Sequence, residues 1–353
     1  MRLSSVTQGR DNNFNAIRIV AALAVLVTHS FVLSSGNPDD EPLRTTLGMT
    51  LGSIAVDVFF VTSGFLVSAS LLRSENVMVF LWSRCLRIFP GLPVMLLLTV
   101  FVVGPFFTTL PLATYLLDAR THAYLIKGAT LVTGIVDRLP ALFESNAYPG
   151  AVNGSHWTMP YEVRMYLLLA ALWVSVHKVF RLRTAQFARV VQVLALLSVA
   201  GLVAGHFVSS RDPTFLRLFF MFFAGAALFV SRDRVLLSAP LFLSGIAVAL
   251  VAAVNQHFFF VVYTLSLPYL VIWLAYVPSD TARRYNKVGD YSYGIYIYAF
   301  PVQQTMAALV PGISPIAMVI ASMTATFGLA DLSWHFIERR AIGLRARMVP
   351  KPA

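Results

Sequence analysis

Charged residues are scarce in this chain of 353 residues. Asp, Glu, Lys and Arg together make up 12% of it, whereas 58% of the residues are hydrophobic. A typical soluble domain carries about twice that share of charge. The scarcity excludes an ordinary soluble protein, and no stretch departs from it enough to form a second, soluble domain. We therefore predict one integral-membrane domain over residues 1–353.

Cysteine is almost absent, since Cys85 is the only one. A single thiol excludes an internal disulfide and a metal cluster held by thiolates.

Acidic residues are also few, 16 against 27 lysines and arginines, which gives a net charge of +11. The basic residues form short clusters between apolar segments rather than a stripe on one soluble face. Their excess therefore indicates membrane orientation and not nucleic-acid binding.

Long apolar runs are abundant. Each is long enough to cross about 30 Å of hydrocarbon as a helix. We predict an all-α polytopic membrane protein with about ten transmembrane helices. The predicted spans are 15–34, 52–72, 88–108, 158–177, 188–208, 214–231, 236–254, 258–277, 288–309 and 315–336.

The loops predict the orientation, because Lys and Arg accumulate on the cytoplasmic side of a membrane. With the N-terminus and the C-terminus cytoplasmic, most basic residues lie inside, including those of the tails 1–13 and 338–353. The inside clusters are Arg2, Arg10 and Arg18; Arg73, Arg84 and Arg87; Lys178, Arg181, Arg183 and Arg189; Arg232 and Arg234; Arg283, Arg284 and Lys287; and Arg339, Arg340, Arg345, Arg347 and Lys351. Outside remain Arg44, Arg120, Lys127, Arg138, Arg211 and Arg217.

One connection, 109–155, is much longer than the others and is predicted to lie outside the cell membrane. Its mostly apolar middle, 124–136, is too short to span, so we expect it in or against the membrane surface.

The first span carries two ionisable residues, Arg18 and His29, eleven residues apart. At about 100° and 1.5 Å per residue, they return to nearly the same face roughly 16 Å apart along the axis. An intramembrane charge suggests a functional site unless a long side chain reaches water at the rim. The non-functional explanation for Arg18 is that it is such a rim anchor. For His29 it is a hydrogen bond to a neighbouring helix.

Three ionisable residues from three spans fall at a similar depth, in the outer third of the membrane. They are His29, Asp57 near the start of the second span, and Glu162 near the start of the fourth. Taken alone, each carboxylate is explained equally well as a structural partner of some cation and as a functional group. For all three together we predict a polar site with His29 as base or nucleophile, oriented by Asp57 or Glu162 on its other ring nitrogen.

A basic cluster is predicted at the inner rim, where Arg18 faces a loop carrying Arg84 and Arg87 before Pro90. A guanidinium group can give two hydrogen bonds to phosphate oxygens, so three arginines suit a phosphorylated ligand. Ordinary cytoplasmic anchoring is the alternative.

The last two spans are also polar. The tyrosines at 291, 293, 296 and 298 are better explained by packing around a kink at Pro301 than by chemistry. Asp331, His335 and Glu338 share one helical face. Beside two arginines this pattern favours an ion-paired helix end, and we predict no metal site.

Five short patterns in order along nearly the whole chain resemble the membrane-bound acyltransferase 3 family. They are specific together, although none would be alone. They are Arg18 and His29 separated by ten residues, VDVFFVTSGFL at 56–66, RCLRIFP at 84–90, YPGAVNGSHWTMPYE at 148–162, and YSYGIY at 291–296.

This resemblance implies a ten-span enzyme of the bacterial inner membrane that performs O-acetylation. It takes an acyl group, usually acetyl, from cytoplasmic acyl-coenzyme A and transfers it to a hydroxyl of a glycan, such as a surface polysaccharide or a lipid-linked sugar. Acyl-coenzyme A is a donor substrate, so no permanently bound cofactor is expected. The family's essential pair falls on Arg18 and His29, its basic motif on Arg84 and Arg87, and its acidic position on Glu162.

The donor's phosphates are expected on the arginines, while its arm reaches into the bundle towards His29. His29 would then deprotonate the acceptor hydroxyl or carry the acyl group transiently. A small pair, Ser63 and Gly64, would let another helix or the donor's arm approach closely. The predicted catalytic set is therefore His29, Arg18, Asp57 and Glu162, and the predicted donor-binding set is Arg18, Arg84, Arg87, Ser63 and Gly64.

The chain departs from the family at two positions: His156 replaces a common leucine, and Ala299 stands near a histidine of some members. Many members also append an external hydrolase-like domain, which we do not expect here. The competing interpretations are a secondary transporter, which also places charges near the midplane, and a structural protein. We find no internal repeat, and dependence on an acyl donor would distinguish a transferase from a transporter.

Overall fold

The computed structural model of the chain describes residues 1–9, 11–208, 214–278 and 281–344. Five of the basic residues assigned above lie outside these ranges, and the predicted tail 338–353 is described only as far as residue 344. The five are Arg10, Arg211, Arg345, Arg347 and Lys351.

The described part of the chain is helical, and its only β-type pairing consists of three isolated bridges. The prediction of an all-α protein is therefore confirmed. In chain order the α-helices are α1 (Leu3–Val6), α2 (Phe14–Ser35), α3 (Arg44–Leu47), α4 (Leu51–Ser74), α5 (Val77–Ile88), α6 (Gly91–Leu98), α7 (Gly104–Phe107), α8 (Leu112–Leu117), α9 (Ala119–Thr130), α10 (Met159–Val174), α11 (Thr184–Val208), α12 (Thr214–Val230), α13 (Ala239–Ala252), α14 (Gln256–Tyr276), α15 (Thr281–Arg284), α16 (Ser292–Leu309), α17 (Pro315–Ser333) and α18 (Arg339–Gly343). Short 3₁₀ segments occur at Pro38–Asp40, Gly154–Thr158 and Tyr285–Lys287, and π-helical turns at Thr99–Val103, Ser175–Val179 and Trp334–Glu338.

Six helical stretches in the described residues are long and apolar enough to cross a membrane. Each of the ten predicted spans overlaps a helix, but the count of ten spans and the cytoplasmic placement of both termini remain predictions. The six stretches are α2, α4, Val77–Phe107 (α5 to α7), α11, α14 and Pro315–Gly343 (α17 to α18); α12 and α13 are apolar but shorter.

Helix α16 is polar for a membrane helix because it lies inside the bundle. Its residues 292–301 are all buried, so their polar groups meet protein rather than lipid. Gln303, also buried, donates from Nε2 to the Leu26 carbonyl and to Ser30 Oγ, each at 2.7 Å. These bonds satisfy the nitrogen of a buried amide and fasten α16 to α2.

The next residue, Gln304, fastens the end of the long loop to the same helix. Its Nε2 donates to the carbonyls of Tyr148 and Ala151 at 2.9 and 2.6 Å. In return, Asn146 Nδ2 donates to Gln304 Oε1 at 2.7 Å. The loop segment 146–151 is therefore held to the bundle by buried hydrogen bonds.

The rest of the long connection contains helical structure that the sequence analysis did not predict. Helices α8 and α9 both lie within it. A Cβ added to Gly128 of α9 would lie only 2.9 Å from the Leu96 side chain of α6, so the two helices pack closely. Ile126 on α9 is exposed, and the membrane-surface position expected for 124–136 stays a prediction.

Helices α4 and α12 cross with their backbones almost touching. A Cβ on Gly64 would lie 1.9 Å from the Phe222 carbonyl oxygen, and one on Gly225 would lie 2.1 Å from that of Val61. Such close approach is typical of small residues at membrane-helix interfaces. It fixes which face of α4 meets α12 and which face remains for the interior.

Candidate active site

Helix α2 runs without interruption from Arg18 to His29, and a separate cavity lies at each of these residues. The arginine cavity is lined chiefly by Arg18, Ser63, Glu162, Ser292 and Tyr293. The histidine cavity is lined chiefly by Thr28, His29, Glu41, Arg44, Ser155 and Trp157.

The two cavities share a wall made of Val56 and Tyr296. The Tyr296 hydroxyl donates to the Ser155 carbonyl at 2.7 Å and accepts a hydrogen bond from Thr158. The tyrosine is therefore fixed between α16 and the segment that leads into α10. One rigid side chain thus separates the arginine end of the site from the histidine end.

His29 is positioned by a serine rather than by a carboxylate. Its Nδ1 lies 3.3 Å from Ser155 Oγ, and its ring edge meets Phe300 at a centroid separation of 5.1 Å. Packing and this hydrogen bond leave Nε2 as the nitrogen available for chemistry. The sequence analysis missed Ser155, although it lies inside the 148–162 pattern.

Arg18 belongs to a hydrogen-bonded network at the other end. Its Nε donates to Ser292 Oγ at 3.4 Å, and Ser292 donates to Asp290. The guanidinium group also lies 5.6 Å from the Phe59 ring centroid. The network holds a guanidinium group in the cavity wall, where it lies over an aromatic ring.

The predicted loop at Arg84 and Arg87 is wrong, because both residues lie on helix α5. Asn76 starts this helix by accepting hydrogen bonds from the backbone of Met78 and Val79. Such an N-cap satisfies amides that would otherwise lack partners, and it allows the helix to begin well before Pro90. A spacing of three then puts both arginines on one helical face.

The two arginines of α5 border the arginine cavity from behind. Arg87 forms an ion pair with Asp290 and lies 6.0 Å from the centroid of Tyr293, a lining residue. Arg84 lies 5.9 Å from the centroid of the Tyr166 ring. Arg18 alone of the three arginines lines this cavity, while Arg84 and Arg87 lie behind its wall and Arg87 is engaged by a carboxylate, so their shared role in donor binding stays a prediction.

Glu162 faces the arginine cavity and not His29. It accepts a hydrogen bond from Tyr166, whose hydroxyl oxygen lies 3.1 Å from Ser63 Oγ. Ser63 and Glu162 both line this cavity. Of the predicted small pair, Ser63 therefore lines the arginine cavity, whereas Gly64 lies at the close contact with α12.

Asp57 points away from both cavities. It is buried, accepts a hydrogen bond from Tyr263 at 2.8 Å, and pairs with Arg217 at 3.6 Å. Because successive residues of a helix turn by about 100°, Asp57 lies on the α12 face of α4 while Val56 lines the cavities. Orientation of His29 by Asp57 or Glu162 is therefore not the arrangement in this structure.

The acidic residues of the last helix also separate. Asp331 and His335 form an i,i+4 pair at 3.2 Å on the surface, as expected for an ion-paired helix end. Glu338 is buried instead and accepts from Ser333 at 2.8 Å. The π-helical turn Trp334–Glu338 adds a residue to the helical turn and rotates Glu338 inward.

His156, one of the two departures from the family pattern, lies outside both cavity linings. It is buried, and its Nε2 lies 2.9 Å from Asn153 Nδ2. Burial lowers the pKa of His156 to about 3, so the imidazole is neutral at physiological pH. Its neighbour Asn153 donates to the Ile297 carbonyl at 3.0 Å, which ties this segment to α16.

The comparisons with known proteins agree with this architecture. An acyltransferase domain family matches residues 11–335. An O-acetyl transferase of Shigella phage Sf6 is 30% identical over 343 residues, covering 94% of this chain and 96% of that protein. Nodulation protein 10 of Rhizobium leguminosarum bv. viciae is 28% identical over 374 residues, covering 98% and 97%. No solved structure matches the chain significantly.

A bundle of apolar helices with polar cavities in its interior defines a multi-pass membrane enzyme. More specifically, the chain belongs to the acyltransferase 3 family and is an acyltransferase. This assignment sets aside the transporter and structural alternatives. It confirms the resemblance inferred from the five sequence patterns.

Proposed function

We propose that the protein transfers an acyl group, in the simplest case acetyl, from cytoplasmic acyl-coenzyme A to a hydroxyl of a cell-surface or lipid-linked glycan. The donor is a substrate and no cofactor is held permanently. The acetyl group and the hydroxyl acceptor are supported by the similarity to an O-acetyl transferase.

One observation carries the proposal: a single helix presents Arg18 in one cavity and His29 in the next, and the two cavities share Val56 and Tyr296. Arginines suit the phosphates of coenzyme A because a guanidinium group binds phosphate oxygens through paired hydrogen bonds. The roughly 16 Å between the two residues along α2 suits a donor that is long and reactive at its far end. The arginine cavity would hold the donor, with Arg18 and Arg84 nearest its phosphates.

His29 supports two routes. In the first, Nε2 removes the proton of the acceptor hydroxyl, the oxygen attacks the thioester carbonyl, the C–S bond breaks, and the coenzyme leaves as a thiolate that takes up the proton. In the second, Nε2 itself attacks the carbonyl and releases the thiolate, after which the acceptor hydroxyl displaces the imidazole from the acyl carbon and its proton passes to the thiolate. In both, Ser155 fixes the ring through Nδ1.

The proposed topology has ten spans, both termini in the cytoplasm, and the enzyme in the bacterial inner membrane. The donor would then enter at the inner end of α2 and the acceptor at the outer end. Cys85 on α5 tests this arrangement, since it is exposed and is predicted to lie inside. We expect an impermeant maleimide to label it only after permeabilisation, whereas a Ser145→Cys, Cys85→Ser variant should be labelled in intact cells. Labelling of Cys85 from outside would invert the topology.

The reaction is tested by mass analysis of surface polysaccharide from cells with and without the protein. We expect an additional acyl group only in cells that produce it. In a matched assay, purified protein in detergent should release coenzyme A from acetyl-coenzyme A faster when polysaccharide from cells lacking the protein is added. No acyl difference together with no polysaccharide-dependent release would reject the proposed donor and acceptor.

A further inference from the structure

The histidine cavity is bounded on its outer side by the short connection between α2 and α4. Glu41 and Arg44 of this connection line the cavity together with His29. Trp157, from the opposite side, completes that rim. Besides the phenol of Tyr296 in the shared wall, the titratable groups among the described lining residues are His29, Glu41 and Arg44.

Glu41 is unusually enclosed for a carboxylate on a connecting segment. Its side chain is 13% exposed, and Oε2 accepts from Arg44 Nη1 at 2.8 Å. Burial raises the pKa of Glu41, while the charge and hydrogen bond of Arg44 act in the opposite direction. Because Oε2 is engaged by Arg44, Oε1 is the acceptor atom available to a ligand.

Asp39 provides a contrast on the same segment. It also lies close to Arg44, with Oδ1 3.4 Å from Nε, but its side chain is 74% exposed and it does not line the cavity. Arg44 is thus neutralised from two sides. Two carboxylates against one guanidinium group leave no excess positive charge at this rim, which disfavours an anionic ligand.

Trp157 is held against Tyr161 in an edge-to-face contact with ring centroids 5.9 Å apart. A fixed aromatic ring offers an apolar surface for the C–H face of a sugar, while a carboxylate and a guanidinium group hydrogen-bond its hydroxyls. These features occur together at the cavity that contains His29.

We propose that the histidine cavity is the acceptor site and that Glu41 and Arg44 select an uncharged sugar unit there. The inference rests on the proposed acyl transfer and adds the class of sugar that is modified. Glu41 accepts a hydrogen bond from a hydroxyl next to the one that is acylated, and Arg44 donates to a second oxygen. An acidic sugar is disfavoured because its carboxylate would face Glu41.

The test compares Glu41→Gln with the matched control Asp39→Asn, both in the full-length protein. The readouts are acyl content of the host's surface polysaccharide and binding of coenzyme A to the purified protein. We expect Glu41→Gln to lower the acyl content about tenfold, because a neutral amide replaces a charged acceptor and weakens the hydrogen bond, while Asp39→Asn stays within about twofold. Both variants should bind coenzyme A like the wild type.

Normal acylation by Glu41→Gln would overturn the proposal, as would a loss of coenzyme A binding in parallel with activity. Arg44→Gln serves as a second variant if Glu41→Gln is not recovered as a monodisperse protein, and it should show the same selective loss. Hydrolysis of the acylated polysaccharide should place the acyl group on a neutral sugar, and an acylated uronic acid would contradict the selectivity. A wild-type protein that adds no acyl group would instead reject the proposed function itself.

Discussion

The arginine cavity and the histidine cavity are built from different kinds of structure. The walls of the arginine cavity come mostly from helices, namely α2, α4, α10 and α16, with the α5 arginines behind them. The histidine cavity takes part of its polar lining from connections: Glu41 precedes α3, and Ser155 and Trp157 lie in the 3₁₀ segment before α10.

This difference suggests a division of labour. Helices packed in a bundle hold side chains rigidly and tolerate little change, whereas connecting segments accept substitution and insertion. A donor common to many reactions is best held by the first kind of wall. An acceptor that differs from one enzyme to the next is best held by the second. Variants in the two cavities should therefore affect different kinetic parameters.

The largest effect is expected for His29→Ala. Loss of a base or nucleophile costs about two to four orders of magnitude in rate, so transfer should fall below detection in most assays. The measurement is transfer of labelled acetyl to polysaccharide by purified protein that elutes as a single species. His335→Ala, a histidine on the surface near the end of the bundle, should retain activity. Equal activity of the two variants would show that His29 takes no part in the reaction.

Arg18→Lys should have the next largest effect, and it should act on the donor. Lysine keeps the charge but lacks the planar guanidinium group, which here contacts both Ser292 and Phe59. We expect kcat/KM for acetyl-coenzyme A to fall roughly 10- to 100-fold, with little change in KM for the acceptor. Arg164→Lys, an arginine on α10 outside both cavities, is the control. An equal fall in kcat/KM for both substrates would indicate a folding defect.

Tyr296→Phe addresses the shared wall. The change removes one hydroxyl that bridges Ser155 and Thr158 and leaves the ring in place. Because Ser155 also holds His29, we expect kcat to fall about tenfold while both KM values stay within about threefold. Tyr291→Phe, a more exposed tyrosine near the start of the same helix, should change neither. A large rise in one KM alone would show that Tyr296 belongs to only one cavity.

Asp57→Asn should have the smallest effect on catalysis and a clear effect on stability. It removes the charge that pairs with Arg217 in the interior, and loss of one member of a buried pair costs about 3 kcal/mol or more. We expect a lower unfolding temperature in detergent, with the activity of each folded molecule within about twofold of wild type. Asp331→Asn, in the surface pair, should alter neither. A strong loss of kcat at unchanged stability would show that Asp57 takes part in the reaction.

The sequence sufficed for the helical class and the family, because periodicity and motif order determine these. The sequence did not predict the direction of the Asp57 side chain. Counting residues along a span gives the depth of a side chain, but its direction around the axis depends on which neighbour the helix meets. The Gly64 and Gly225 contact turns Asp57 towards α12, and neither glycine reveals its partner in the sequence.

The surroundings of His29 could not be predicted for a related reason. Ser155, its hydrogen-bond partner, lies far away along the chain. Glu41, which lines the same cavity, lies in a short connection where no periodic pattern indicates the direction of a side chain. The helix at Arg84 was missed because Pro90 suggested a break, although Asn76 begins the helix well before that proline.

The adjacent glutamines of α16 fasten one side of the bundle. Gln303 holds α2, and Gln304 holds the loop segment 146–151, through hydrogen bonds that would be broken if the loop moved away from the helix. This side of the site therefore acts as a fixed wall and not as a hinged lid. Under the proposed function, a glycan acceptor would reach His29 past the rim formed by the connection between α2 and α4, whose Glu41 and Arg44 line the histidine cavity. It would then enter without an opening and closing step in each turnover.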